Sequence, residues 1–88
     1  MNELTVYKIA NGVRAREESF GLLIVSKTTP ALSLNPDGKN VWSLIDGSNT
    51  VNDIINKVAG QYQSNSVEEK VIKLLEGFES LKLIETIR

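Results

Sequence analysis

The sequence contains neither cysteine nor histidine. Without cysteine the chain can form no disulfide, no thiolate metal site and no thiol nucleophile, and without histidine it lacks the commonest general base and an imidazole metal ligand. The glycines show no phosphate-loop spacing, and the acidic residues are scattered along solvated faces. We therefore predict that the chain is not an enzyme and holds no cofactor or metal of its own.

A basic excess is also missing. Ten Lys and Arg residues stand against eleven Asp and Glu residues, which gives a net charge of -1 and a pI near 5.4. Duplex-binding domains usually carry a clear positive excess, and no apolar run is long enough to cross a membrane. No signal-peptide pattern opens the sequence. We expect no nucleic-acid partner, no membrane association and a place in the reducing cytoplasm.

What remains is the composition of an ordinary globular chain, with 41% hydrophobic and 24% charged residues. A chain of 88 residues suffices for one modest core. No internal repeat and no low-complexity stretch interrupts it. The sequence therefore predicts a single domain over residues 1–88.

The first part of the chain is patterned for strands. Residues 13–17 alternate apolar with charged side chains, residues 21–27 are rich in β-formers, and residues 31–35 alternate again. Short connections predict an antiparallel three-stranded meander, with Pro30 at the mouth of the third strand. The N-terminal residues, 4–17, allow a further hairpin about Asn11-Gly12, a pair favoured in two-residue turns.

After Asn35 the hydrophobic period lengthens toward that of a helix. Asn35 followed by Pro36 is typical of an N-cap with proline at the first helical position. This helix is predicted to run to about Asp46, with Gly47 as the left-handed residue that ends it. Trp42 lies within it beside other apolar residues, and we interpret it as a core residue, because tryptophan is highly buried on average.

Two further helices are marked by their caps. Thr50 with Asp53, and Ser66 with Glu69, have the spacing of capping boxes. The buried face of the second helix is predicted to comprise Val51, Ile54, Ile55, Val58, Ala59 and Tyr62. That of the third is predicted to comprise Val67, Val71, Leu74, Leu75, Phe78 and Leu81. The alternating tail, residues 81–87, is either a short extended piece or a frayed end.

Strands gathered first and helices gathered after predict an α+β fold: a three-stranded antiparallel sheet followed by a three-helix cluster. Such an arrangement is close to a winged helix-turn-helix. Beside the apolar stripe of the third helix lie Lys70 and Lys73, which are either a solvated face or a docking site for an acidic peptide.

Three segments taken together, "VRAREESFG", "ALSLNPDGKNVWSLIDGSNTVNDIINKV" and "VEEKVIKLLEGFESLKLIE", resemble the PqqD-like peptide chaperones. These are also called recognition elements of ribosomally made, post-translationally modified peptides. The resemblance covers roughly residues 12–85. Its most specific part is a hydrophobic-Trp-x-Leu-Ile-Asp-Gly block followed by a Thr-x-x-x-Ile helix start.

The resemblance implies that the leader of a precursor peptide binds between the third strand and the third helix, as an extra strand. In such β-augmentation an exposed edge supplies main-chain hydrogen bonds, and side-chain pockets supply selectivity. The resemblance also implies a modifying enzyme as partner, often a radical-SAM maturase, which would hold any iron–sulfur cluster. Carried onto this chain, the peptide-binding residues are Ala31, Leu32, Ser33, Leu34, Asn35, Lys70, Val71, Leu74, Gly77 and Phe78.

Other interpretations stay open. For Val71, Leu74 and Phe78 the plainer one is ordinary core packing. A winged-helix DNA-binding regulator shares the helical architecture, but it needs a basic recognition helix, and the predicted second helix carries only Lys57. A regulatory domain that binds a folded protein without any peptide substrate is the third interpretation.

Overall fold

A computed structural model describes residues 2–61 and 66–87 of the chain. Within these residues the α+β class is confirmed, with antiparallel sheets and three helices. In chain order the elements are β1 (Tyr7–Ile9), β2 (Arg14–Glu18), β3 (Gly21–Val25), β4 (Leu32–Leu34), α1 (Pro36–Ser43), α2 (Val51–Ala59), α3 (Val67–Ser80) and β5 (Ile84–Thr86). No helix in this part of the chain is both long and apolar enough to cross a bilayer.

The predicted meander is confirmed. Strands β2, β3 and β4 form one antiparallel sheet in that order, so β4 is an edge strand. Leu22, Ile24 and Leu34 are buried on the face of this sheet that packs on the helices. The third strand is shorter than predicted, because Asn35 already serves as the N-cap of α1.

Gly21 allows β4 to approach the start of β3. Its φ of 142° lies in a region that residues with a side chain rarely adopt, and a Cβ built on it would overlap the carbonyl oxygen of Leu34. Glycine is therefore required at this position by both its conformation and its neighbour.

A second sheet differs from the prediction. A turn does form at Asn11-Gly12, where Gly12 has a φ of 83°, but no hairpin follows, because β1 pairs with β5 in the order Tyr7↔Thr86 to Ile9↔Ile84. Of the two alternatives for the tail, the extended piece is observed, whereas one sheet followed by helices is an incomplete description. Alternation marks a strand but not its partner, and here burial of both strands against the core decides the pairing.

Tyr7 ties this second sheet to α3. Its ring is buried, and its hydroxyl donates a hydrogen bond of 3.2 Å to Oε1 of Glu79. Burial, followed by the negative charge of Glu79, raises the pKa of Tyr7 to about 12. The phenol is therefore neutral at physiological pH and able to donate this bond.

Helix α1 ends earlier than predicted. The N-cap is confirmed, because the Asn35 side chain accepts a hydrogen bond from the backbone N–H of Gly38. The helix stops at Ser43, however, and the carboxylate of Asp46 accepts hydrogen bonds from the backbone N–H groups of Asn49 and Ser48, which lower its pKa. This side-chain-bonded turn competes with the helix. Gly47 has the predicted positive φ, 82°, but lies in the turn and does not cap the helix.

Helix α2 begins as predicted. Thr50 and Asp53 form a reciprocal capping box, with hydrogen bonds of 3.0 Å and 2.9 Å. Its predicted face is buried at Val51, Ile54, Ile55 and Val58. Ala59, at the last turn, is exposed, because the core no longer faces it there. Tyr62 lies outside the described residues.

Helix α3 starts without the predicted capping box, since the side chain of Ser66 makes no capping hydrogen bond to the helix. Glu68 and Glu69 in the first turn interact favourably with the helix dipole instead. Along the predicted stripe Val67, Val71, Leu75 and Phe78 are buried and Leu74 is half-buried. Leu81 lies just past the helix end and is exposed at 38%.

Trp42 is a core residue, as predicted, with only 7% of its surface exposed. Its ring meets that of Phe78 edge-on, with centroids 5.1 Å apart and planes at 86°. Such a T-shaped contact is favourable beyond the area that it buries. Trp42 lies on α1 and Phe78 on α3, so the pair joins the two helices that flank the core.

We predict that Trp42→Ala lowers the free energy of unfolding by about 3 to 5 kcal/mol, the usual range for emptying a buried aromatic site. Urea denaturation followed by circular dichroism measures this. A loss below about 1 kcal/mol would mean that the indole is not part of the core.

The end of α3 predicts a stabilising change. The N–H of Leu83 bonds the carbonyl of Phe78, and that of Lys82 bonds the carbonyl of Glu79, which is the Schellman pattern. This pattern requires a left-handed residue at position 82, and Lys82 has a φ of 60°. A side chain there is strained, since the left-handed region costs an L-residue on the order of 1 kcal/mol.

Lys82→Gly should therefore raise the free energy of unfolding by about 1 kcal/mol. Lys82→Ala is the matched control, because it removes the same charge but keeps a Cβ, and it should give little gain. Equal stabilisation by both variants would show that the charge, and not the backbone conformation, is unfavourable.

Candidate functional site

A groove runs along helix α3, with α1 as its floor; the edge strand β4 borders one half of it, and α2 contributes to the other half. It consists of two adjoining cavities, of about 360 Å³ and 470 Å³, which share Asn35, Gly38, Lys73 and Leu74. The first half is lined in addition by Asp37, Val41, Val58, Val67, Lys70 and Val71. The second half is lined in addition by Leu32, Ser33, Leu34, Gly77, Phe78 and Leu81.

Gly38 keeps the two halves continuous. It is buried at the N-terminal end of α1, because the Asn35 cap draws its N–H inward. A Cβ at this position would lie 3.3 Å from Cβ of Leu34, which is closer than such contacts normally are. A side chain here would fill the floor of the groove where its two halves meet.

The hydrogen-bond direction of β4 follows from the strand register. Glu18 and Gly21 form the last pair of the β2–β3 hairpin, and two residues connect them. If Glu18 and Gly21 were a non-bonded pair, the two connecting residues would have to form the next hydrogen-bonded pair. They are covalent neighbours and cannot do so. The pair Glu18/Gly21 must therefore be a hydrogen-bonded pair.

Bonded and non-bonded pairs alternate along an antiparallel ladder. Gly21, Leu23 and Val25 thus direct their backbone groups toward β2, and the residues between them direct theirs toward β4. The bonded pairs across β3 and β4 are accordingly Leu22/Leu34 and Ile24/Leu32. Ser33 pairs with Leu23 in the non-bonded position, so its N–H and C=O point away from the sheet.

The side chains of β4 also alternate, between the core face of the sheet and solvent. Leu34 is buried and Leu32 is half-buried against the core, whereas Ser33 is exposed. Strand β4 is therefore held by its two leucines, whose side chains pack on the core and whose backbone groups bond to β3. The outward backbone groups of Ser33 remain at the edge, beside the groove.

Positive charge lines the α3 side of the groove. Lys70 and Lys73 both reach it, and Nζ of Lys73 lies 3.1 Å from Oε1 of Glu69 one turn earlier. Both side chains of this ion pair are mostly exposed, so the pair is worth little in stability and can be exchanged for another anion. Asp37 lines the opposite side of the first half. Away from the groove, a hydrogen bond from Lys39 lowers the pKa of Glu17.

Gly77 is the least explained residue of the groove. It lies inside α3, where glycine costs about 1 kcal/mol relative to alanine. A Cβ built on it meets no described heavy atom within 4 Å. Packing in the described structure therefore does not demand glycine at this position.

Of the ten predicted site residues, the structure brings nine together along the groove. Ala31 is exposed and precedes β4, outside both halves. Val71 and Phe78 are also buried core residues, as the plainer interpretation expected, and present one edge to the groove. Groove residues outside the ten predicted ones are Asp37, Gly38, Val41, Val58, Val67, Lys73 and Leu81. The sequence marks Lys73, together with Lys70, as one alternative for docking an acidic peptide, whereas the floor residues come from other helices and carry no signal.

The side chains in and around the groove set its chemical character. No group of three or more acidic, histidine or cysteine side chains that could hold a metal occurs among residues 2–61 and 66–87. In the same ranges every buried side-chain nitrogen or oxygen has a hydrogen-bond partner. The groove thus offers apolar walls, a cationic rim and one outward-facing backbone.

A protein-family model described as coenzyme PQQ synthesis protein D (PqqD) matches residues 22–84. A search of curated protein sequences finds no match. Among solved structures, TbiB1 in complex with the TbiA(beta) leader peptide is similar, with a TM-score of 0.78 and 20% identity over 89% of this chain and 94% of that one.

A second similar structure is the solution NMR structure of the PqqD truncation of Methylobacterium extorquens PqqCD. It is described as a functional, stand-alone RiPP recognition element. Its TM-score is 0.73, at 23% identity over 91% of this chain and 88% of that one. At these identities the two structures show that the fold is shared.

Proposed function

Because the chain belongs to the PqqD family, whose model spans residues 22–84, we propose that it is a recognition element for a ribosomally made precursor peptide. It binds the leader segment of that peptide and presents it to a modifying enzyme. The leader lies in the groove between β4 and α3 as an additional strand. The observation that carries this proposal is the outward direction of the Ser33 backbone at an edge strand that borders an apolar groove.

The similar complex supports the type of ligand, since TbiB1 has a leader peptide bound. A strand of about ten residues spans roughly 33 Å, which is close to the longest dimension of the molecule, 34 Å. The cationic rim formed by Lys70 and Lys73 favours a leader with at least one acidic side chain.

The proposed site comprises the ten residues predicted from the sequence, with Gly38 and Lys73 added from the groove. Ala31 and the N–H of Asn35 extend the outward parity of Ser33 at either end of β4, whereas the carbonyl of Asn35 accepts the N–H of Lys39 within α1. Ala31 thus contributes through its backbone even though it lies outside the groove.

The modifying enzyme is proposed to be a radical-SAM maturase, acting in the cytoplasm on peptide that the single domain of residues 1–88 presents. A cysteine-free chain cannot ligate an iron–sulfur cluster through thiolates, so the cluster and the chemistry would belong to the partner.

The winged helix-turn-helix comparison is also a proposal, with the β2–β3 hairpin as the wing and α2 and α3 as the helical pair. No observation favours DNA as the ligand. Nζ of Lys57, the one cation on α2, donates a hydrogen bond of 2.7 Å to Oδ1 of Asn49, which holds it at the protein surface. A salt titration would separate the two ligands, because phosphate-driven binding weakens steeply with added salt.

We predict that Ser33→Pro leaves the fold intact and abolishes leader binding. Proline removes an N–H that bonds nothing in β3, so the free energy of unfolding should fall by less than about 1 kcal/mol. The bound peptide loses one backbone bond and meets the proline ring. Calorimetric titration with the synthetic leader of a precursor encoded beside this chain's gene measures the binding, and urea denaturation measures the stability.

The matched controls separate backbone from side chain. Ser33→Ala changes the same side chain but keeps the N–H, and should bind as the wild type does. Leu34→Pro deletes a bond to β3 and should destabilise the fold by about 1 to 3 kcal/mol more than Leu34→Ala, which loses only the side chain. Undiminished leader binding by folded Ser33→Pro would exclude strand addition at β4.

We also predict that the purified protein modifies no peptide unaided. It has no thiol, no imidazole and, in the described residues, no acidic cluster suited to a metal. Mass spectrometry of the precursor after incubation with the protein alone should show an unchanged mass. Turnover that persists through rigorous removal of copurifying enzymes would refute the proposal that the chain only binds.

A further inference from the structure

Gly77 forms a notch in the α3 side of the groove. Leu74 lies one turn before it and Leu81 one turn after it, and all three line the second half of the groove. Residues three and four apart share one face of a helix. The two leucines therefore stand on either side of a position that has no side chain.

The fold does not require glycine at this position. Gly77 lies in the body of α3 and is not among the described residues with positive φ. A Cβ would meet no described atom within 4 Å, which contrasts with Gly21 and Gly38, where a Cβ would press on Leu34. Glycine therefore leaves open space on this face of α3, into which a group from outside the chain can fit.

The space over Gly77 is apolar and faces the edge strand. Leu32 and Leu34 border it from β4, and Phe78 borders it from α3. Leu32 is half-buried and Leu81 is exposed, so both keep apolar surface that the fold itself leaves uncovered. A peptide strand beside β4 would direct every second side chain toward this space.

We propose that Gly77 is a specificity-determining residue, whose notch receives one large apolar side chain of the bound peptide. The inference rests on the proposed function, because the peptide must lie along β4 for its side chain to reach α3. The side chain enters between Leu74 and Leu81 and covers them. A peptide with a small or charged residue at this point leaves that apolar surface in water and binds more weakly.

A displayed library of random peptides of about ten residues, the length of a strand that spans the molecule, provides the probe. Peptides selected on the wild-type protein should share a large apolar residue at one position. For the tightest of them, measured by fluorescence anisotropy, Gly77→Leu should weaken binding roughly a hundredfold and Gly77→Ala roughly tenfold. Both variants should melt at a higher temperature than the wild type, because each is a better helix former.

Glu76→Leu and Glu76→Ala are the matched controls. Glu76 immediately precedes Gly77 in α3, is exposed and lies outside both halves of the groove, so these changes should leave the affinity unaltered. Replacing the shared large residue of the peptide by alanine should weaken binding to the wild type, and should weaken it much less in Gly77→Leu, whose notch is already filled.

Two failures are distinguishable. If Gly77→Leu binds the selected peptide as tightly as the wild type while Ser33→Pro loses it, the peptide adds to β4 but does not use the notch, and the inference about Gly77 is wrong. If no peptide is enriched on the wild type, or if folded Ser33→Pro binds the selected peptide equally well, strand addition fails and the inference fails with it.

Discussion

The structure depends on the alternation of three residues in β4. Leu32 and Leu34 bond to β3 and direct their side chains into the core, so the intervening Ser33 must turn both its backbone groups outward. The strand ends at Leu34, because the next residue, Asn35, caps α1. A short edge with few free groups resists unspecific pairing.

The position of α3 opposite this edge is set by the core. The contact between Trp42 and Phe78 joins α3 to α1, and α1 follows β4 directly. Beyond the helix, the Schellman end at Lys82 turns the chain so that Leu83 is buried and β5 reaches β1. The groove is therefore the space left between two elements that are each fixed by other contacts.

The local elements could be predicted from the sequence because their signals are local. The alternating strands of the meander, the Asn35 cap and the Thr50–Asp53 capping box each depend on residues a few positions apart. The predictions failed where a distant partner or a competing turn decided the outcome. The pairing of β1 with β5 joins residues at opposite ends of the chain, and the side-chain hydrogen bonds of Asp46 ended α1 early.

The site shows the same division. The residues of β4 and α3 were predicted because the family resemblance points to these two elements, and the hydrophobic pattern indicates which of their residues share a face. Gly38, Val41 and Val58 were not, because floor residues are brought in by helix packing, which no short pattern encodes. The parity of Ser33 was likewise beyond the sequence, since it follows from a hairpin register that only the structure provides.

Amide hydrogen exchange at β4 tests the central claim most directly. In the free protein the account predicts fast exchange at Ser33 and slower exchange at Leu32 and Leu34, whose N–H groups bond to β3. When a selected peptide saturates the protein, exchange at Ser33 should slow markedly while Leu32 and Leu34 change little. Slow exchange at Ser33 without peptide, or fast exchange that persists at saturation, would contradict strand addition at this edge.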